Sequence, residues 1–223
     1  VRFRSGDLLK KLRKSAQMIF QDPYDSLNPN RTIYDIVAEP LCIHKIGANK
    51  DEKMRKVKDA LVAVELVPPD NFLDRYPHEL SGGQRQRVAT ARVLMTDPKL
   101  MVADEPVSML DVSIRAGILD ILLSLRRKFG MAILLITHDL AVAKSICDRV
   151  AVMYLGRIVE IGPTNKVIDN SRHPYTDGLI AAVPVPDPDA RRIEVKVMGE
   201  VIPTTELPSG CRFQPRCPCW AKH

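Results

Sequence analysis

Ser81-Gly82-Gly83 opens a stretch that reads as helical from Gly83 to Met95. Glycine lets the backbone approach a ligand closely, and the first N–H groups of a helix have no intrahelical partner. A helix start presenting one serine and two glycines suits a phosphate oxygen. The same serine would also serve as an ordinary helix cap, and both uses stay open on these residues alone. A second group is Asp104-Glu105, at the end of the apolar run 100–103. Two adjacent carboxylates suit two separate roles, because successive side chains point in different directions. The carboxyl end of a buried strand is also where open α/β sheets bind ligands. Gln21 and His138 each follow an apolar segment; alone, neither carries chemistry. The third group is Cys211, Cys217 and Cys219, within nine residues. Thiolates so close suggest a soft metal or an iron–sulfur cluster, or zinc with His223, or simply reduced thiols on a tail.

Elements to position these residues are legible from periodicity. Residues 17–20 read as a short buried strand closed by a turn-rich loop containing Pro23 and Pro29. From Asp51 to Val67, Met54, Val57, Leu61 and Val64 recur at helical spacing until Pro68 and Pro69. The run 100–103 suits a strand buried on both faces of a parallel sheet. Residues 113–129 form a helix with Ile114, Ile118, Ile121, Leu122, Leu125 and Phe129 on one face and Gly130 as its stop. Residues 132–136 are a further apolar strand, and 141–147 a short helix. Residues 150–161 alternate around Leu155-Gly156 as a hairpin. Strand, helix, strand, helix in this order predicts an α/β core with a parallel sheet.

Composition bounds the rest. The chain has 223 residues, 33 Lys plus Arg against 27 Asp plus Glu, and a net charge of +6. That excess permits contact with nucleic acid or an anionic surface without demanding it. Hydrophobic residues at 45% and charged residues at 27% exclude wholesale disorder. No apolar run approaches the roughly 18 residues that span a bilayer. Five cysteines, unevenly spread, do not resemble a secreted disulfide framework, so a cytosolic compartment is expected. Cys42 and Cys147 lie among apolar residues and are expected to be core thiols. Three prolines in 183–189 read as a linker to a small appended module.

The octapeptide Leu80-Ser81-Gly82-Gly83-Gln84-Arg85-Gln86-Arg87 resembles the signature motif of ABC-type ATPases. The surrounding pieces resemble that family in order. Residues 100–106 look like its Walker B segment, 108–111 its D-loop with Asp111, His138 its switch histidine and Gln21 its Q-loop glutamine. The resemblance implies a P-loop-type ABC nucleotide-binding domain over 1–165, incomplete, and a cysteine-bearing C-terminal extension over 166–223. It also implies roles: Asp104 and Gln21 at a magnesium ion, Glu105 on the attacking water, His138 at the γ-phosphate, and Ser81, Gly82, Gly83, Gln84 and Asp111 at bound ATP. The segments 21–41, 173–184 and 210–218 are similar to the branch that imports oligopeptides, dipeptides and nickel, and to the second of its paired ATPase subunits.

That resemblance implies a head-to-tail ATPase dimer, two membrane permease subunits, an extracytoplasmic substrate-binding protein reached indirectly, and a place on the cytoplasmic face of the membrane. It implies no nucleic-acid partner. It further implies Cys211 and Cys217 as ligands of a [4Fe–4S] cluster, with another cysteine about seven residues past Cys217. Three departures stand out. No G-x-x-x-x-G-K-[ST] occurs in these residues, and the resemblance puts that phosphate loop ahead of Val1, as expected of a truncated chain. Val107 and Met109 stand where the family usually carries threonine and alanine. Two other readings stay open here: a non-catalytic partner subunit, and a non-transport ABC ATPase acting on nucleic acid or ribosomes.

Overall fold

The computed structural model describes residues 6–183 and 208–220, in two compact units that divide after Ile136. The first unit begins with α1 (Asp7–Ser15) and β1 (Ala16–Ile19), followed by α2 (Pro23–Ser26), α3 (Ile33–Ile43), α4 (Lys50–Ala63), α5 (Asp70–Leu73) and α6 (Gly82–Leu94). It ends with β2 (Leu100–Asp104), α7 (Val112–Phe129) and β3 (Ala132–Ile136). The strands form a parallel sheet in the order β1–β2–β3, with Ile19 opposite Ala103 and Asp104 opposite Ile136. Gly130 closes α7 in the left-handed conformation, φ 62°, a C-terminal position where glycine carries no Cβ penalty.

Helices α3, α4 and α6 pack on one another. Their buried faces (Val37, Leu41, Val57, Leu61, Val88 and Ala91) share one core with Met101 of β2 and with Ile121, Leu122 and Leu125 of α7. That core lies on the sheet face carrying Ile19, Met101 and Ala103, all buried. The other face differs from the expectation of burial on both sides. Strand β2 alternates half-buried and buried, and β3 leaves Leu134 53% and Ile136 45% exposed. An apolar run is compatible with two covered faces, but coverage depends on which helices cross which side. Among the described residues, helices cover one.

The segment after β1 also departs from a plain loop. Asp22 caps α2, its carboxylate accepting from the Tyr24 N–H at 2.7 Å, and Thr32 caps α3 in the same manner at 3.2 Å. Leu27 is buried in the core and Tyr34 packs against it. Tyr24, by contrast, is 61% exposed.

In the second unit, α8 (Leu140–Ile146) is followed by the antiparallel hairpin β4 (Arg149–Tyr154) and β5 (Arg157–Pro163), then α9 (Thr164–Asp169) and α10 (Pro174–Ala181). Leu155 and Gly156 both have positive φ, 44° and 78°, the two-residue turn whose twist suits a hairpin. The tail 208–220 seats Phe213, fully buried, against the rings of Tyr154, Tyr175 and His173 at centroid distances of 5.2, 5.4 and 5.6 Å. Arg212 donates to the Leu155 carbonyl in the hairpin turn. The proline-rich stretch 184–189 lies outside the described residues.

Candidate functional site

Strands β1 and β2 run side by side, so their carboxyl ends bring Gln21 to the acidic pair. The Gln21 Nε2 amide donates to Glu105 Oε2 at 3.1 Å across 84 residues of sequence. Asp104 is the last residue of β2, half-buried; Glu105 comes next with φ 43°, a conformation uncommon outside glycine. Its backbone is held there: its N–H donates to the Ile136 carbonyl at 2.9 Å, and its own carbonyl accepts from Ser108 N–H and Oγ at 3.2 and 3.0 Å. Strain of this kind, on the order of 1–3 kcal/mol, persists where surrounding contacts over-determine it. Carboxylate and amide oxygens grouped at a strand end match the hard-donor preference of magnesium, so Asp104 and Gln21 fit such an ion by donor type.

The second grouping is the turn that starts α6. Ser81 Oγ accepts from the Gln84 N–H at 3.3 Å, and Gln84 Oε1 accepts from the Ser81 N–H at 3.0 Å, a reciprocal capping box. The capping use of Ser81 is therefore present, and the Gln84 side chain is engaged in it. Gly83 answers to packing, whereas Gly82 sits at an ordinary contact distance. A Cβ on Gly83 would lie 2.7 Å from Ile114 Cγ2, and one on Gly82 would lie 3.4 Å from Leu110 Cδ2. The turn thus rests against the 110–114 segment, where Asp111, exposed, occupies the N-cap of α7 without a side-chain capping bond. Val107 is buried and Met109 exposed, so the Met109 side chain adds bulk to the surface rather than to the core.

His138 belongs to the second unit, between β3 and the α8 cap formed by Asp139. The Asp139 carboxylate accepts from Ala141 and Val142 N–H groups, and its own N–H donates to Thr137 Oγ1 at 3.0 Å, which fixes the backbone on both sides of His138.

The same unit holds the perturbed acids and bases. Burial pushes His173 below its ordinary 6.5 despite the nearby Glu160 charge, and its Nδ1 accepts from the Tyr175 N–H at 3.1 Å. Burial alone would raise Glu160. Hydrogen bonds outweigh it, among them those from Arg172 and His173 N–H at 2.9 and 3.2 Å, and hold the carboxyl below its ordinary 4.5. Burial pushes the Tyr175 hydroxyl up, with Tyr154 adding to it.

Cys211, Cys217 and Cys219 line one pocket with Gln214 and Trp220. No three His, Cys, Asp or Glu side chains among the described residues are spaced to hold a metal ion. The described thiols therefore do not fit a four-thiolate cluster as they stand, and His223, the fourth group of the zinc alternative, lies outside the described residues. Cys42 is exposed and Cys147 half-buried, against the expectation of core thiols. Apolar sequence neighbours do not bury a residue whose helix face turns outward. Sequence reasoning did not pair Arg85 with Tyr24, which meet across 61 residues; no local spacing carries that signal.

Residues 2–108 match the family model described as ABC transporter, and residues 159–222 match the one described as oligopeptide/dipeptide transporter, C-terminal region. The chain is 48% identical over 215 residues to the oligopeptide transport ATP-binding protein OppF of Salmonella typhimurium, covering 96% of this chain and 64% of that protein. It is 46% identical to the OppF of Haemophilus influenzae, covering 97% and 65%. The chain thus spans just under two thirds of the curated relatives it matches. Its fold matches the ATP-binding cassette MJ0796, solved as a dimer in a post-hydrolysis state bound to ADP and Pi. That likeness has a TM-score of 0.63 and 30% identity, over 73% of this chain and 68% of that one. It also matches cbiO1 from Clostridium perfringens, part of the ABC transporter complex cbiONQ, with a TM-score of 0.64 and 31% identity, over 73% and 62%. The chain belongs to the ABC transporter ATP-binding cassette family and carries that family's oligopeptide/dipeptide transporter C-terminal region.

Proposed function

We propose that this chain is part of an ATP-hydrolysing subunit that powers peptide import through membrane permease subunits. One arrangement carries this reading: Gln21 hydrogen-bonded to Glu105 beside Asp104, at the carboxyl ends of adjacent parallel strands, in a chain akin to oligopeptide transport ATP-binding proteins. The reaction is in-line attack of water on the γ-phosphorus: a new P–O bond forms, the bond to the β-phosphate oxygen breaks, and the water proton leaves to a nearby base. Glu105 orients and polarises that water, and Gln21 keeps the carboxylate aimed. Asp104 and Gln21 would hold a magnesium ion, which would supply charge neutralisation at the phosphates. The family resemblance alone assigns His138 to the γ-phosphate. Ser81, Gly82, Gly83, Gln84 and Asp111 face the nucleotide of a second, head-to-tail subunit, a reading supported by the dimeric MJ0796 neighbour.

The tail and the partners follow the same reading. No helix among the described residues is long and apolar enough to cross a membrane. The likeness to oligopeptide transport ATP-binding proteins supports separate permease subunits as partners and a peripheral seat on the cytoplasmic face. Cys211 and Cys217 bind an iron–sulfur cluster only where further thiolates join them. Iron and sulfide analysis after anaerobic reconstitution tests this, and zinc without sulfide would replace it.

The function itself is tested in the protein extended to the length of its relatives, because these 223 residues contain no G-x-x-x-x-G-K-[ST]. Glu105→Gln lowers kcat by roughly 100-fold or more while KM for ATP stays within about three-fold. Unchanged turnover in that variant would refute the assignment of Glu105.

A further inference from the structure

We infer that Tyr24 and Arg85 are a positioning pair that locks the first turn of α6 to the segment following Gln21. Arg85 lies four residues past Ser81 and is only 6% exposed. Its Nη1 donates to the Pro77 carbonyl at 3.0 Å, and its Nη2 donates to the Tyr24 hydroxyl. Its Nε has no hydrogen-bond partner. The guanidinium carbon sits 3.6 Å from the centroid of the Tyr24 ring. A guanidinium buried with one donor unmet is costly, and the ring face supplies the missing attraction.

Tyr24 is otherwise an exposed side chain, 61% accessible, so this contact does not come from filling the core. Its backbone N–H is held by the carboxylate of Asp22, the residue after Gln21. On the other side, the Arg85 N–H donates to the Ser81 carbonyl at 2.9 Å. A second fastener repeats the theme two turns later: Arg92 Nη1 donates to the Ser26 carbonyl at 3.0 Å. Glu105, Gln21, Asp22, Tyr24, Arg85 and Ser81 therefore form one continuous series of contacts inside the first unit. It joins the acidic strand end to the glycine turn, two groupings that share no direct hydrogen bond among those described. Displacing the segment after Gln21 drags the start of α6 with it.

Hydrogen–deuterium exchange on this chain tests the pair without reference to catalysis. Tyr24→Ala is expected to speed exchange of the 85–89 amides roughly 2- to 30-fold, the span of a cation–π contact between exposed and desolvated sites. Tyr24→Phe, which keeps the ring, should recover most of the protection, and α4 should exchange at its wild-type rate. Unchanged exchange over 85–89, or an equal rise over α4, overturns the inference. The kinetic consequence rests on the ATPase reading above. In the longer protein, Tyr24→Ala should lower kcat about ten-fold with KM for ATP nearly unchanged, because the glycine turn joins a nucleotide already held elsewhere. Equal changes in both constants would overturn the positioning role. Wild-type protein without ATPase activity would refute the ATPase reading and leave the exchange result to decide the pair.

Discussion

Replacing Gly83 by alanine would set a methyl carbon 2.7 Å from Cγ2 of Ile114. Carbon atoms in good contact sit roughly 3.5–4.0 Å apart, so the overlap is about an ångström. Ile114 has little room to yield. It is β-branched and lies in the first turn of α7, where one χ1 rotamer dominates. Turning it some 30° off that rotamer costs on the order of 0.5–1.5 kcal/mol, and overpacking typically costs about 1–3 kcal/mol in all. Alanine offsets at most about 1 kcal/mol through its better helix propensity. The net expectation is a loss of about 1 kcal/mol, read as a lower urea midpoint at unchanged slope. The methyl on the β-branch identifies the cause. Ile114→Leu removes the offending methyl at equal volume and should rescue Gly83→Ala, with a coupling of about 0.5–2 kcal/mol in a double-mutant cycle. Ile114→Val keeps a methyl at that place and should not rescue. Gly83→Ala proving stabilising by about 1 kcal/mol, alike in the wild-type and Ile114→Leu backgrounds, would refute the packing account and leave Gly83 to ligand approach alone.

Trp220 is the sole tryptophan and lies on the docked tail, so its emission reports on that tail. Phe213→Ala should remove about 3–5 kcal/mol of docking energy and shift the emission to the red, and an unmoved spectrum would count against Phe213 as the anchor. The same emission should show an acid step. His173 is held neutral below its ordinary 6.5, so its contribution is whole above pH 6.5 and drains away as pH falls through its lowered value. Glu160 adds a second loss below 4.5. His173→Asn keeps a capping acceptor that does not titrate and should erase the first step only; a step surviving in that variant would assign it elsewhere. Leu134→Thr with Ile136→Thr, both on the open sheet face, should reduce concentration-dependent association in sedimentation and change stability by less than about 1 kcal/mol. Association unaffected by the pair would place the sticky surface elsewhere.

Much of the architecture was legible because it is local. A 3.6-residue period places Val57 and Leu61, or Ile118, Ile121, Leu122 and Leu125, on one helix face whatever they later touch, and α4 and α7 appear within a few residues of expectation. Leu155-Gly156 between alternating residues encodes a turn through its own φ angles, and the hairpin follows. The family was legible for another reason: its motifs are short, contiguous and ordered. What escaped was most of the detail that depends on two distant segments meeting. Burial was misjudged for β2, read as covered on both faces, because an apolar strand does not specify how many of its faces a helix will cover. Leu27 is buried although its turn-forming neighbours gave no sign of it. Cys42 was misjudged in the opposite sense. Ser81 and Gly83 looked like ligand-facing residues from composition; the fold adds a capping box and a close contact with Ile114, 31 positions on. Gln21 meets Glu105 only because β1 and β2 lie in register, and Arg85 meets Tyr24 only because α2 packs on α6. By itself, then, the sequence determined the family, the helices α4, α6, α7 and α8, the strands β1 to β3 and the hairpin, while α1, α3, α9 and α10 went unread. Only the tertiary structure decided which side chains share a surface, because a contact across 61 or 84 residues is set by chain crossovers that leave no periodic trace in the residues they join.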